Sequence, residues 1–277
     1  MQQMSRSEKT YRLFCMIALC ILTVFFVFPL YWIFAGSIKT AIEINAPTPS
    51  FVPLNPTWAN YEKLFSNPAL IWLFNTIFIA VMALGLTCLT AAMAGYVFAK
   101  KRFPGRLFLF TLMICAMALP KQVILIPLLK EMSFLRLHDS VWAVILPTVG
   151  WPFGVFLMKQ FSEGIPSQLL EAARIDGAGE VRTFVEIVLP IIKPGLGALA
   201  IFTFITAWND YFLQLIMLNS NRRLTISLGI ANLQAENATD FGLIMAGAAV
   251  AAVPILAVFL LFQKYFTQGI TMGAVKG

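Results

Sequence analysis

Two groups of residues in this chain have types and spacings that could do chemistry. The first is a run between Pro166 and Pro190: Glu171-Ala172-Ala173, three residues, Gly177, nine residues, Ile187, one residue, Leu189-Pro190. The second is a pair of opposite charges set inside apolar surroundings, Lys121 and Asp210, with the polar or aromatic neighbours Gln122, Trp208 and Asn209. A carboxylate at the opening of a short helix, followed by small residues, makes a surface that another protein can approach closely. Charges at bilayer depth cost roughly 2.5–3.5 kcal/mol each, so they are expected to face a cavity or a partner. Amide and indole groups there suit sugars, which bind through hydroxyl hydrogen bonds and aromatic faces. The bland reading is held equally open: Lys121 reaches outward to the interface, and Asp210 caps a helix or pairs with another subunit. Thr87, Thr90, Thr203 and Thr206 are expected to bond to carbonyls of their own or neighbouring helices.

Other chemistries find no residues. The single histidine, His138, has no partners for a metal site. The four cysteines lie in apolar runs without C-x-x-C spacing, so neither zinc nor a disulfide framework is expected. No G-x-x-x-x-G-K-[ST] loop and no catalytic constellation occurs, so any ATP hydrolysis belongs to a separate chain. The net charge of +7 is spread as short clusters between apolar runs, a pattern that does not fit nucleic-acid binding.

The elements that must position these residues are membrane spans. Hydrophobic residues make up 59% of the chain and charged ones 12%, about half the usual charged share, so a soluble fold could not cover its surface. A bilayer core needs about 20 apolar residues in a helix. Residues 13–34, 71–99, 107–129, 141–158, 195–218 and 241–263 meet this, the third broken by Pro120, Lys121 and Pro127. The fold class expected is therefore all-α: a polytopic bundle of six spans forming one transmembrane domain over residues 1–277. Six spans place both termini on one side. That side carries thirteen Lys and Arg against six on the other, with Lys121 inside a span, which puts both termini in the cytoplasm. The proline-rich connection 35–70 reads as an irregular external segment with at most short helices.

Within the cytoplasmic loop of about residues 160–194, Pro166 suits the first turn of a short helix. Leu169, Ala172, Ala173 and Asp176 then share one face, and Gly177 leaves the helix in a left-handed conformation. A second short helix is expected from about Gly179, stopping before Pro190.

Every fixed position of this run matches the E-A-A, x3, G, x9, I-x-L-P pattern, and the loop resembles the EAA loop of ABC importer permeases. Asn75-Thr76, Gly95-Tyr96 with Ala99, Trp208-Asn209-Asp210 and the ending Gly273-Ala274-Val275-Lys276-Gly277 resemble the carbohydrate-uptake permeases of the maltose-permease type, specifically the six-span partner subunit. The resemblance runs through nearly the whole chain. It implies the type I importer permease fold in a bacterial or archaeal cytoplasmic membrane, translocating a sugar or oligosaccharide. It also implies three partners: a second homologous permease, a cytoplasmic ABC ATPase dimer that holds the ATP and magnesium, and an extracytoplasmic solute-binding protein. The loop residues Glu171, Ala172, Ala173, Asp176, Gly177, Leu189 and Pro190 would dock on the ATPase. A glycerophosphate-type or acidic sugar solute is the alternative, for which Lys121 would serve as counter-charge.

Overall fold

The computed structural model describes residues 6–236 and 239–274, with side chains for residues 10–236 and 239–263. Every regular element among them is helical. In chain order they are α1 (Arg6–Ser37), α2 (Ala41–Ile44), α3 (Ala59–Phe65), α4 (Ala69–Lys100), α5 (Arg106–Met117), α6 (Lys121–Phe134), α7 (Trp142–Val149) and α8 (Phe153–Glu163). Next come α9 (Ser167–Ile175), α10 (Glu180–Thr183), a π-helical turn Phe184–Val188, α11 (Leu189–Asn209) and α12 (Tyr211–Met217). A 3₁₀ turn at Asn221–Arg223 leads to α13 (Ile226–Glu236) and α14 (Phe241–Ala274). The connection 35–70 is irregular apart from two short helices, as its prolines dictate. Of the C-terminal Gly-Ala-Val-Lys-Gly run, Val275, Lys276 and Gly277 lie outside the described residues.

Five helical stretches among the described residues are long and apolar enough to cross a bilayer: Thr10–Ser37, Ala69–Lys100, Trp142–Glu163, Glu180–Asn209 and Phe241–Gln263. The expected third span is not straight. α5 and α6 meet at 108°, so they make a sixth span only as a broken one. The cause is local. Pro120 sits in an extended conformation (φ −61°, ψ 129°), lacks an N–H, and disfavours helix at the residue before it. The expected fifth span also shifts: its helix is continuous from Glu180, ends at Asn209, and restarts at Tyr211 after Asp210.

The chain divides into two compact units. One takes the chain up to Ala69 together with Ile230–Ala252. In it Lys39 is buried at 3% exposure, its ammonium 4.6 Å above the Trp32 ring and donating to the Ser50 carbonyl. Asn60 Nδ2 donates to the carbonyls of Ser37 and Lys39, both at 2.9 Å, which ties α3 to the end of α1.

The other unit takes Leu70–Gly229 and the chain from Val253. Its core joins α4, α8 and α11 through Ala91, Ala92, Tyr96, Met158, Ile165, Val188, Ile192 and Leu199. Lipid is as apolar as leucine, so helices here associate by close packing, which small residues permit. Gly95 shows the closeness required: a Cβ there would lie 2.6 Å from Met158 Cβ and 2.7 Å from the Lys159 amide. The start of α4 is fixed by side chains that meet the 220–226 segment. Trp72 Nε1 donates to Asn221 O at 2.7 Å, Asn75 Nδ2 to Leu224 O at 2.9 Å, and the Thr76 hydroxyl accepts from the Ile226 amide at 2.8 Å. Asn75-Thr76 thus serve this junction. Asp139 closes the same segment, accepting from the Asn219 amide at 2.9 Å and the Ser220 amide at 3.0 Å. Partial burial would raise its carboxyl; the Ser220 hydroxyl, these two amides and Arg223 outweigh that and hold it below the ordinary carboxylate range.

Candidate functional site

The helix–turn–helix of residues 166–190 is built as its spacing requires, with two differences. Pro166 caps α9 in an extended conformation (φ −60°, ψ 131°), and its missing N–H costs nothing there. Gly177 adopts φ +77°, where a side chain is strained, and turns the chain toward Glu180. The Gly177 amide donates to Arg174 O at 3.0 Å and the Ala178 amide to Ala173 O at 2.9 Å, which closes the end of α9.

The first difference is in the exposed face. Ala173 is 6% exposed and turned inward, so it does not share a free surface with Leu169, Ala172 and Asp176. The surface instead offers Glu171, Ala172, Asp176 and two apolar side chains that sequence reasoning passed over, Ile175 (86% exposed) and Val181 (77%). The second difference is at Pro190. The second helix does not stop before it; α10 continues through the π turn into α11, with Pro190 in the first turn of α11. Within that turn the Leu189 amide bonds to Phe184 O, five residues back. This wider winding makes room for a pyrrolidine ring that an α-turn would crowd, and the helix survives its proline.

Two residues outside the pattern hold the motif in place. Glu180 receives an ion pair from Lys101 and another from Arg174 at 3.4 Å, joining the end of α4 to both short helices. Lys100 Nζ donates to the carbonyls of Glu163 (3.1 Å) and Ile165 (2.6 Å), completing the end of α8. The exposed ion pairs are worth about 0–1 kcal/mol each, so they set geometry more than stability. Basic residues ending α4 were visible in the sequence, but their acceptors are more than 60 positions away.

The intramembrane charges meet. Lys121 Nζ lies 3.6 Å from Asp210 Oδ2 and 4.8 Å from the centre of the Trp151 ring. Asp210 also caps α12, accepting from the Leu213 amide at 3.4 Å. Each charge stands at a helix break. The positive end of the α6 dipole disfavours an ammonium, whereas a carboxylate at the start of α12 is favoured, so Asp210 relieves what Lys121 would otherwise cost. Lys121, Gln122, Thr148, Trp151 and Asp210 border one partly open cavity. A second shares Lys121, Thr148 and Trp151 and adds Thr87, Thr203 and Thr206.

Two expected members are elsewhere. Trp208 is 3% exposed and stacks on Phe204 with centroids 5.5 Å apart, bordering neither cavity. Asn209 is exposed and bonds back to Ile205 O at 2.9 Å. The aromatic beside the charges is Trp151, which stands between Gly150 and Pro152 where α7 gives way to α8. Its place at a break in an apolar run was the only sequence signal for it.

The family model described as "Binding-protein-dependent transport system inner membrane component" matches residues 89–272. The arabinooligosaccharides transport system permease protein AraQ of Halalkalibacterium halodurans is 35% identical over 255 residues, 91% of each chain. The sulfoquinovosyl glycerol transport system permease protein SmoH of Agrobacterium fabrum is 34% identical over 265 residues, 94% of this chain and 93% of that one. A chain from the crystal structure of a bacterial ABC transporter involved in import of the acidic polysaccharide alginate superposes with a TM-score of 0.82. It covers 96% of this chain and 100% of that one at 22% identity, a likeness of fold. The broken spans, the intact loop and these matches identify one kind of molecule: this chain belongs to the binding-protein-dependent transport system inner membrane components, as a multi-pass permease subunit of an ABC importer and not an enzyme.

Proposed function

We propose that this permease passes a neutral sugar or oligosaccharide, delivered by an extracytoplasmic solute-binding protein, and is driven by a separate ATPase pair that binds ATP and magnesium. In this reading the 277 residues act as one transmembrane domain with both termini cytoplasmic, paired with a second, homologous permease. Glu171, Ala172, Asp176 and Gly177 form the ATPase contact, and Leu189 and Pro190 carry its movement into α11. Lys121, Gln122 and Asp210 border the solute path. The observation that carries the coupling role is the exposed helix–turn–helix with left-handed Gly177, its spaced pattern intact. Both curated relatives described above are named for carbohydrate solutes, one neutral and one anionic. Lys121 favours the neutral class, because Asp210 already matches its charge.

The test is reconstitution of the complex with Glu171→Ala or Gly177→Val. A Cβ at Gly177 meets nothing within 4 Å, so the cost of Val is conformational alone, about 1–2 kcal/mol. Both variants are expected to reach the membrane at normal abundance. Both should weaken co-purification of the ATPase or abolish the rise in hydrolysis caused by loaded binding protein. Full ATPase binding together with full stimulation in both variants would remove the loop from the coupling path.

A further inference from the structure

Four threonines in the apolar helices satisfy their hydroxyls by bonding to the carbonyl four residues back: Thr23 to Leu19, Thr76 to Trp72, Thr90 to Leu86 and Thr148 to Val144. This is the ordinary fate of threonine in a membrane helix and was the expectation for Thr87, Thr203 and Thr206. Among the described residues those three make no such bond, and the Thr87 hydroxyl oxygen is buried with no partner at all. All three border the same partly open cavity, on α4 and α11, together with Lys121, Trp151 and Phe202. A buried hydroxyl without a partner costs free energy that a helix carbonyl four residues away could have recovered.

We infer that this permease itself holds one sugar ring in transit, in the cavity bordered by Thr87, Thr203, Thr206, Trp151 and Phe202. The inference rests on the sugar reading above and adds where in this chain the solute is held. The chemistry fits a saccharide in three ways. Each threonine hydroxyl offers one donor and two acceptor positions, as a sugar hydroxyl does, so the two sets can pair in either sense. The aromatic faces of Trp151 and Phe202 match the apolar C–H face of a ring. The Lys121 ammonium, charge-matched by Asp210 at 3.6 Å, keeps N–H donors for ring or glycosidic oxygens without demanding an anion. An apolar wall with a few converging polar groups, loosely satisfied when empty, suits a solute that must bind and then leave.

The experiment uses the whole reconstituted importer with its cognate binding protein. Labelled neutral di- to tetrasaccharides, arabino-oligosaccharides among them, are supplied, and sugar imported per ATP hydrolysed is measured. Thr87→Val and Thr203→Val remove a hydroxyl at nearly constant shape; Thr87→Ser and Thr203→Ser keep it. Each Val variant is expected to lower sugar moved per ATP by about fivefold to tenfold, the loss of about one hydrogen bond, with solute-stimulated hydrolysis retained. Each Ser variant should stay within about twofold of the parent, since the bonding group remains. Val variants that import at the parent ratio overturn the inference and leave the sugar reading standing. So does a proportional fall in import and hydrolysis, or a loss that Ser does not rescue, because a helix-packing role would produce either. A parent complex that imports none of these sugars overturns the sugar reading itself, and this inference with it.

Discussion

Lys121 and Asp210 were each a single charge in an apolar run, and either could have faced lipid headgroups, a subunit or a channel. Their meeting at 3.6 Å, with Trp151 beneath the ammonium, makes them one unit. Asp210→Asn should leave an unmatched ammonium at the start of α6. The cost is expected near the low end for a broken intramembrane pair, about 1–3 kcal/mol, because the Lys121 side chain is 36% exposed. Lys121→Met should cost less, since Asp210 keeps its cap on α12. The double variant removes both charges and should recover most of the loss. A double-mutant cycle on the melting of the purified complex measures the coupling; costs that simply add would mean the two side chains act independently. Uptake per assembled complex, taken from the same preparations, separates a role in the solute path from one in stability.

Helix α4 supports much of its unit. Its first turns hold the 220–226 segment, its small residues admit α8 and α11, and Lys100 at its end with Lys101 just beyond it hold the 163–180 stretch. Gly95 and Gly85 lie on this one helix and make a controlled pair. A methyl group at Gly95 would collide with the backbone of α8, whereas at Gly85 it would meet nothing within 4 Å. Gly95→Ala is therefore expected to destabilise by about 1–3 kcal/mol through forced separation of the helices. Gly85→Ala should be neutral or stabilising by up to about 1 kcal/mol through helix propensity. Melting temperatures of the two variants, measured side by side, test this; equal effects would show that α4 and α8 can part without cost. The π turn before Pro190 belongs to the same scale. It makes α10 and α11 one continuous helical path that ends at Asn209, the route the proposed coupling movement would take toward Asp210.

For the whole molecule, the decisive quantity is the distribution of basic residues along the chain. Under the proposed topology, thirteen on one side against six on the other put the 160–194 loop in the cytoplasm, where an ATPase can reach it. In a cysteine-free background, a cysteine at Asn221 should label with an impermeant thiol reagent on intact cells. One at Ser167 should label only after the membrane is opened. The reverse pattern would invert the topology and separate the loop from any cytoplasmic partner. α1 is the most hydrophobic of the spans, and none of its best apolar window is buried within this chain. Its free surface is available to lipid or to the second permease of the proposed heterodimer.

What the sequence alone determined was whatever depends on local spacing and summed hydropathy. The apolar runs, the proline-rich connection, the left-handed Gly177 and the family pattern of the loop all follow from residues within a few positions of one another, and the structure and comparisons agree with them. Tertiary structure decided what depends on partners distant in the chain. Trp151 lies beside Lys121 while Trp208 is packed against Phe204, a choice made by where three helices break. Glu180 is held by Lys101 from 79 positions away, and Ala173 turns inward although its spacing places it beside Ala172. Helical periodicity fixes which residues share a face; only packing fixes which face is covered. The bend of 108° at Pro120 shows the same division, since proline announces a break in the helix but the direction of the chain beyond it is set by what α6 packs against.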